Sequence, residues 1–385
     1  MRDKKYLAVG KRGISLTALA LAACTLLTLT GPGIGRASAV TLNQECSLTV
    51  TPGNYEDLAD ADVVIDLYKV ADAAAVPEYD TYTFRLTGAY AGLDSAEVLG
   101  DMTKITNEDY QAIAQEAAAL TLASEGISVA KAVDGQPAGS PITETRDGKL
   151  ASGLYLLIAR GADLTDKADY LKHIAAEADG KTGTKLATIA NSDEYTYTFE
   201  PQLVALPSCI VLDADGTAPG NQTSNNEVPW QYDLAVTLKP EQTLRFGVLE
   251  IVKNLEAYEA DEAASFVFRV DAYQDDSKTK LLYSGVHPVT FSGAGVQSIR
   301  VENLIPAGAY VEVSEDYPGP DYRLQGSALQ TAVIPAPDNG DYASVTYTNA
   351  YQGSTTYGGA ITNHFEYHAG GGEAGGEAGW NWTRQ

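Results

Sequence analysis

Apolar and polar residues alternate along most of the chain with the two-residue period of β-strands. Short runs rich in β-branched and aromatic residues stand between clusters of Gly, Pro, Asn and Asp, which favour turns. The clearest runs are Val63–Val70, Thr81–Leu86, Leu154–Ile158 and Tyr195–Phe199. This spacing of strands and turns predicts an all-β protein built of two Ig-like β-sandwich domains in tandem.

Two segments depart from the strand pattern. Residues 106–109 (TNED) resemble a capping box and open an Ala-rich stretch that reaches about Gly126, which predicts a helix. A weaker helical pattern runs from Thr165 to Ala178. We expect both helices to be insertions in the first sandwich. The polar segment Asp213–Pro229 is rich in turn-forming residues and predicts a surface loop.

The N-terminal segment predicts export. Five Lys or Arg residues precede an uncharged apolar run, and small residues at 37–39 provide a cleavage pattern, so residues 1–39 are predicted to be a secretory signal peptide. The alternative is a lipoprotein signal, in which residues 21–24 (LAAC) would place a lipidated Cys24 at the mature N-terminus. Both interpretations predict an exported protein.

Three further parts follow the signal. Residues 40–245 form the first domain with its helical insertions, and residues 246–352 form a second domain of strands alone, which is the usual size of one Ig-like sandwich. Residues 353–385 are Gly-rich and predict a flexible tail.

The charge balance excludes some classes of partner. The 385 residues include 51 acidic and 26 basic side chains, a formal net charge of −25. Residues 1–39 contain six basic residues and one acidic residue, so the mature chain holds 50 acidic against 20 basic residues, a charge of −30. A chain this acidic lacks the basic face that nucleic acids need, and anionic membrane surfaces are disfavoured for the same reason.

Cys46 and Cys209 are the cysteines that follow the predicted signal. In an oxidising compartment two cysteines allow one pairing, so we expect a disulfide between them. Such a bridge would constrain the unfolded chain by several kcal/mol. Two buried free thiols are the alternative.

Three polar residues of the second domain share a strand face with apolar residues. Side chains alternate between the two faces of a strand, so residues of equal parity lie on one face. The groups are Lys253 with Leu249 and Ile251, Glu315 with Val311 and Val313, and Asn349 with Val345 and Tyr347. The pattern predicts a lysine, a glutamate and an asparagine inside one core, from the first, a middle and the last strand.

The residues around Glu315 resemble the E-box of Gram-positive pilins and of the related Cna B-type modules of surface proteins. Val311 and Val313 lead up to Glu315, Pro318 follows it, and Tyr322 lies seven residues after the glutamate. Just before this box, residues 304–308 (LIPAG) are similar to the Leu-Pro-x-Gly turn of the same family.

The resemblance implies an intramolecular isopeptide bond in the second domain. By this resemblance Lys253 is the nucleophile, Asn349 is the acceptor that loses ammonia, and Glu315 is the proton shuttle. Burial disfavours charged forms, so a neutral amine and a protonated acid can coexist beside the amide. The alternative is a buried ion pair between Lys253 and Glu315, with Asn349 as a hydrogen-bond partner.

A second match to the pilins lies at the end of the first domain. Trp230, Leu234, Val236 and Lys239 are spaced as in the pilin motif, in which a tryptophan, two alternating aliphatic residues and a lysine form a sortase acceptor site. Residues 237–238 (TL) depart from the usual Tyr-Pro of that motif. The resemblance implies that Lys239 is the acceptor, and the alternative is an edge-strand lysine that keeps the strand soluble.

Other features of the pilin pattern are incomplete. Residues 66–72 and 153–159 resemble pilin N-terminal domains, but Ala159 stands where the box glutamate would be, so Lys69 is expected to be structural. Residues 380–385 contain no Leu-Pro-x-Thr-Gly signal, so we expect the chain to act as acceptor and not as acyl donor.

The sequence offers few candidate metal ligands. His364 and His368 have i,i+4 spacing, but they stand beside the Gly-rich tail and lack a third ligand. No metal and no cofactor is therefore expected. A secreted glycan-acting enzyme would need paired carboxylates in a cleft, which the sequence does not locate.

These patterns predict a structural, pilin-like subunit at the surface of a Gram-positive bacterium, in the cell wall or in a pilus. The expected partners are other pilin subunits and, transiently, a sortase, with no nucleic acid. Cross-linking occurs once per chain, so no enzyme activity with turnover is expected. The alternative is an adhesin for host extracellular matrix or glycans, with the sandwich as a stalk and the helical insertions as the binding part.

Overall fold

The computed structural model describes residues 40–53, 55–76, 82–93, 107–123, 129–178, 181–209, 230–259, 263–318, 321–353, 363–368 and 379–384. Two compact units divide the chain between Phe246 and Gly247. Strands dominate both units, so the all-β prediction of two sandwiches is confirmed. The predicted signal peptide and the predicted loop Asp213–Pro229 lie outside the described residues. Among the residues that are described, no helix has the length and apolar composition needed to cross a bilayer.

The first unit holds the helices that the sequence places in a β-scaffold. Its helices are α1 (Asn107–Ala118), which continues as a π-helical turn over Ala119–Ala123, and α2 (Lys167–Tyr170), with short 3₁₀ turns at Glu56–Ala61 and Gly88–Gly92. Its strands in the described ranges are β1 (Ser47–Thr51), β2 (Val63–Ala75), β3 (Tyr82–Leu86), β4 (Val133–Pro137), β5 (Pro141–Ile142), β6 (Glu144–Thr145), β7 (Gly148–Lys149), β8 (Gly153–Gly161), β9 (Leu171–Ala178), β10 (Lys181–Asn191), β11 (Tyr195–Phe199), β12 (Gln202–Leu206), β13 (Ser208–Cys209), β14 (Trp230–Gln231), β15 (Asp233–Thr237) and β16 (Glu241–Leu244).

Three sheets form the body of the first unit, with strand orders β15-β1-β5, β16-β11-β10-β9 and β12-β8-β2-β3. β8 lies inside the last of these sheets and is buried along its whole length. Tyr155 and Leu157 join one core with β1, whereas Leu154 and Leu156 join a second core with α1. Because both faces of this sheet are covered, β8 is a continuous apolar run and does not alternate.

The helix predicted from residue 106 is confirmed. α1 buries Ile113, Ala114 and Ala117 against the second core. The side-chain amide of Gln115 on the same helix accepts a hydrogen bond from the Leu186 N–H and donates one to the Leu186 carbonyl, at 2.8 and 2.9 Å. The helix is therefore bound to the backbone of β10 as well as packed on its side chains.

The second predicted helix, Thr165 to Ala178, is wrong beyond its first turn. Four residues are helical as α2, and β9 then pairs with β10 from Leu171↔Thr188 to Ala178↔Lys181 as an antiparallel hairpin. Helix propensity is a weak preference, and hydrogen bonding to an adjacent strand overrides it in this segment.

The second unit is a sandwich of two four-stranded sheets. Its strands are β17 (Phe246–Leu255), β18 (Ala264–Tyr273), β19 (Leu281–Phe291), β20 (Gly295–Pro306), β21 (Tyr310–Tyr317), β22 (Tyr322–Gln325), β23 (Leu329–Val333) and β24 (Ala343–Tyr351), with a 3₁₀ turn at Asp338–Gly340. One sheet has the order β20-β17-β24-β22 and the other β19-β18-β21-β23. Burial alternates residue by residue along β17, β18 and β21, as expected for strands with one face on a core.

Two described segments of the tail that was predicted to be flexible form an antiparallel hairpin. β25 (Asn363–His368) pairs with β26 (Gly379–Arg384), with Phe365 opposite Trp382 and Tyr367 opposite Trp380. Aromatic residues at alternate positions favour strands, and the Gly content of the tail hides this local pattern. His364 and His368 therefore lie in a strand and not in a helix.

Candidate functional site

Lys253 is buried in the core of the second unit. It follows Leu249 and Ile251 on the inward face of β17, as the alternation of that strand requires, and its side chain has no solvent exposure. Its Nζ atom lies 4.5 Å from the ring centroid of Phe266 and 5.8 Å from that of Phe268. The amine is therefore removed from water and lies against aromatic rings.

Asn349 reaches the same point from the last strand of the sandwich. β17 and β24 run parallel, with Lys253 opposite Tyr347 and Leu255 opposite Asn349. Asn349 is fully buried. Since residues two apart on a strand point to the same face, the first and last strands bring the amine and the amide to the same side of one sheet.

Glu315 approaches from the opposite sheet, where β21 pairs with β18. Its Oε1 atom lies 2.6 Å from Lys253 Nζ and accepts a hydrogen bond of 3.2 Å from Asn349 Nδ2. The Pro318 carbonyl accepts a second hydrogen bond from Asn349 Nδ2, also at 3.2 Å. One carboxylate oxygen thus contacts both the amine and the amide nitrogen.

Burial governs the electrostatics of this site. Removal of the amine from water lowers the pKa of Lys253, and the hydrogen bond to Glu315 opposes that shift. Glu315 Oε2 and Asn349 Oδ1 are buried and have no hydrogen-bond partner among the described residues. A buried acceptor without a donor costs free energy, so these two oxygens are the unsatisfied positions of the site.

The structure thus brings together the three residues that alternation singles out in the second unit. Residues on three strands, distant in sequence, meet because β17 and β24 are neighbours and β21 faces them. The pattern of inward positions predicts the burial of each residue by itself. Only the sheet order and the register make them partners.

The predicted acceptor Lys239 lies on the surface of the first unit, two residues after the end of β15. β15 is an edge strand that pairs in parallel with β1. Val236 is buried, Leu234 is half-buried, and Trp230 is half-buried with its ring centroid 5.4 Å from that of Tyr82. The apolar residues of the motif therefore anchor the strand, while the lysine lies on its exposed side.

Cys46 is buried directly before β1, and burial raises the pKa of its thiol. The next residue, Ser47, donates its N–H to the Tyr232 carbonyl at 2.8 Å. Cys209 lies opposite Trp230 in the β13–β14 pair, and its side chain lies outside the described residues. Both cysteines therefore belong to segments that border residues 230–232, and the disulfide stays a prediction.

Sequence reasoning missed a buried charge cluster in the first unit. Asp66 on β2 is fully buried and accepts hydrogen bonds from Arg160 at 2.9 and 3.3 Å and from the Gly135 N–H at 2.7 Å. Lys131 Nζ lies 2.9 Å from the same carboxylate. The sequence contained a signal for this cluster, since Asp66 and Arg160 each lie within an apolar run of a strand, and charged residues are rarely buried unless they are paired.

Lys69, which was expected to be structural, is partly exposed and forms an ion pair with Asp72 at 2.5 Å.

In the part of the chain that the structure describes, no group of three or more His, Cys, Asp or Glu side chains could hold a metal ion. The side chains of His364 and His368 lie outside that part.

Comparisons with known proteins give a family match in the second unit. Residues 249–352 match a family described as a domain of unknown function, DUF5979. This segment contains Lys253, Glu315 and Asn349. No curated protein matches the chain by sequence.

Several solved structures are similar at low identity. One is Serratia marcescens Lip, described as a membrane-bound component of the type VI secretion system, with 14% identity over 28% of this chain and 93% of that chain and a TM-score of 0.20. The minor pilin of Streptococcus agalactiae has 13% identity over 80% of this chain and 96% of that chain, with a TM-score of 0.22. A C-terminal fragment of a pilus adhesin from Lactobacillus rhamnosus GG has 10% identity over 80% and 98%, with a TM-score of 0.20.

Proposed function

We propose that this chain is a structural, pilin-like surface protein whose second unit cross-links itself by an isopeptide bond between Lys253 and Asn349. The observation that supports the bond is the shared oxygen Glu315 Oε1, which lies 2.6 Å from Lys253 Nζ and 3.2 Å from Asn349 Nδ2. General acid–base catalysis needs such a group within hydrogen-bond reach of the atoms that lose and gain protons.

The reaction balances with these three residues alone. The neutral amine of Lys253 attacks Asn349 Cγ, so that a Nζ–Cγ bond forms and the Cγ–Nδ2 bond breaks. Nζ gives up one proton, Glu315 relays it, and Nδ2 leaves as ammonia. Glu315 ends in the protonation state in which it began, so no external acid, base or oxidant is consumed.

The alternative, a buried ion pair between Lys253 and Glu315, accounts for the site less completely than the covalent bond does. A charged pair needs a cationic lysine, and burial makes that form more costly by lowering the pKa of Lys253, while the contact with Glu315 acts in the opposite direction. It also leaves Glu315 Oε2 and Asn349 Oδ1 without donors among the described residues, at about 1–3 kcal/mol for each buried acceptor. Transfer of the lysine proton to Glu315 would remove the two buried charges and would turn one carboxylate oxygen into a donor.

We further propose that Lys239 is the position at which another subunit is attached. Its exposure after an edge strand gives an enzyme access to the amine, and the buried Val236 fixes the strand that carries it. A substrate lysine of a sortase must reach an acyl-enzyme from outside, in contrast to the enclosed Lys253.

A disulfide between Cys46 and Cys209 is proposed as the cross-link of the first unit. Cys46 precedes the residue that binds the Tyr232 carbonyl, and Cys209 pairs with Trp230. The bridge would join the start of β1 to the segment that leads into β15. Thiol alkylation of the denatured protein, with and without prior reduction, tests it: equal labelling in both samples would contradict the bridge.

Intact mass of the exported, reduced protein tests the isopeptide bond. Loss of ammonia gives a mass about 17 Da below that of the sequence, as the amide-forming reaction requires. A Lys253→Met variant keeps an apolar chain of similar length and should show the unshifted mass of its own sequence. An unshifted mass of the unmodified protein would overturn the proposed bond.

A further inference from the structure

We infer that Tyr347 is a positioning residue that sets the distance between the two sheets at the cross-linking site. This inference rests on the proposed isopeptide bond. The buried hydroxyl of Tyr347 donates a hydrogen bond of 2.5 Å to the Val313 carbonyl on the opposite sheet. It thus connects β24, which carries the amide, with β21, which carries the acid.

The connection lies one pleat away from the reacting atoms. Tyr347 precedes Asn349 by two residues on β24, and Val313 precedes Glu315 by two residues on β21. The Tyr347–Val313 and Asn349–Glu315 contacts are therefore successive links across the same core. Lys253 is the register partner of Tyr347 on β17, so all three reacting residues lie next to this link.

The link reaches between sheets because a tyrosine is long enough to do so. Packed sheets lie about 10 Å apart, and a phenol side chain can cross most of that gap. The Tyr347 ring also packs against Phe268, with centroids 5.0 Å apart and an interplanar angle of 46°. Phe268 in turn lies beside Lys253 Nζ. The ring and the hydroxyl together fix the position of β24 relative to β21 and β18.

The separation of the sheets matters because Glu315 must contact two groups of the other sheet at once. Oε1 has to remain within hydrogen-bond distance of both Lys253 Nζ and Asn349 Nδ2 during proton transfer. Displacements of about 1 Å reduce reaction rates strongly in preorganised sites. The Tyr347 hydroxyl bonds to the Val313 carbonyl and not to a reacting atom, so its effect on the rate would act through Glu315 and Asn349.

The test is the rate of ammonia loss in newly synthesised protein. Full-length Tyr347→Phe and unmodified chains are made by cell-free translation, quenched in acid at set times and analysed by intact mass, with the folded fraction followed by near-ultraviolet circular dichroism. We expect cross-linking of folded Tyr347→Phe to be roughly two- to tenfold slower, the rate equivalent of one lost hydrogen bond. Para-aminophenylalanine at position 347 restores a donor and should restore the rate.

Tyr283→Phe is the matched control. Tyr283 belongs to the same sandwich, but its hydroxyl interacts with His287 within β19 and does not link the two sheets. An unchanged rate per folded molecule in Tyr347→Phe, or the same slowing in Tyr283→Phe, would overturn the role of Tyr347. The role of Tyr347 would also be overturned if Tyr347→Phe folded or cross-linked more slowly and para-aminophenylalanine at position 347 did not correct that defect. Absence of ammonia loss in the unmodified protein is a different result and overturns the isopeptide bond itself.

Discussion

Lys253 lies opposite Tyr347 in the parallel ladder of β17 and β24, which places Asn349 one pleat further along the neighbouring strand. A bond between Lys253 and Asn349 would join the first and last strands of the sandwich and close a loop of about 95 residues. By the loop-entropy relation used for disulfides, such a closure stabilises the fold by about 4–5 kcal/mol. The cross-link would therefore resist separation of the two ends of the unit.

Replacement of Glu315 by Gln should abolish the cross-link, because an amide keeps the size of the side chain but cannot relay a proton. Intact mass should equal that of the variant sequence. The unfolding free energy of the second unit should fall by about 4 kcal/mol in denaturant titrations. Glu312→Gln is the control, since Glu312 lies on the other face of β21 with Lys278. Ammonia loss in the Glu315→Gln protein would contradict the assigned role.

An Asn349→Ala variant should reveal the buried amine through the pH dependence of stability. Without the acceptor amide the amine stays, and burial lowers its pKa below the ordinary 10.5. Between the lowered pKa and 10.5 the unfolded chain binds more protons than the folded chain, so the unfolding free energy rises with pH in that window. Denaturant titrations across this range measure the slope.

The control for this pH effect is the double variant Asn349→Ala with Lys253→Met. It lacks the buried amine and keeps the exposed lysines of the unit, so the difference in slope belongs to Lys253. Equal slopes in the two variants would show that the folded state does not disfavour the charged amine.

Asp66→Asn should destabilise the first unit by about 3–5 kcal/mol, because it leaves two cations near a buried site without their counter-charge. Arg160 and Lys131 both contact the Asp66 carboxylate, and Arg160 is itself almost fully buried. Asp134→Asn is the matched control, since Asp134 is 70% exposed and pairs with the same Lys131. Denaturant titration compares the two, and equal losses would argue against a special role for the buried acid.

Lys239→Ala should prevent attachment of an acyl donor to the first unit. The protein is incubated with a pilus-type sortase and a peptide that carries Leu-Pro-x-Thr-Gly, and conjugates are mapped by mass spectrometry. Lys149→Ala is the control, because Lys149 is also exposed but belongs to the β6–β7 pair, where it forms an ion pair with Glu144. Conjugation that persists in the Lys239→Ala protein would remove this lysine from the assembly proposal.

The clearest failure of sequence reasoning is the segment from Leu171 to Ala178. Alanines and a helical spacing favour a helix there, but the backbone pairs with β10 as a strand. Such pairing depends on a neighbour that local pattern does not reveal. The Asp66 cluster was missed for a similar reason, because its cations come from two other segments, at Lys131 and Arg160.

The sequence by itself determined that Lys253, Glu315 and Asn349 point inward, because strand alternation assigns a face to each residue independently of its partners. It also determined the all-β class and the position of α1, through periodicity and turn chemistry. Only the tertiary structure decided that the three polar groups meet. The parallel register of β17 with β24 and the facing of the two sheets are long-range properties, and these bring Oε1 of Glu315 within reach of both nitrogens.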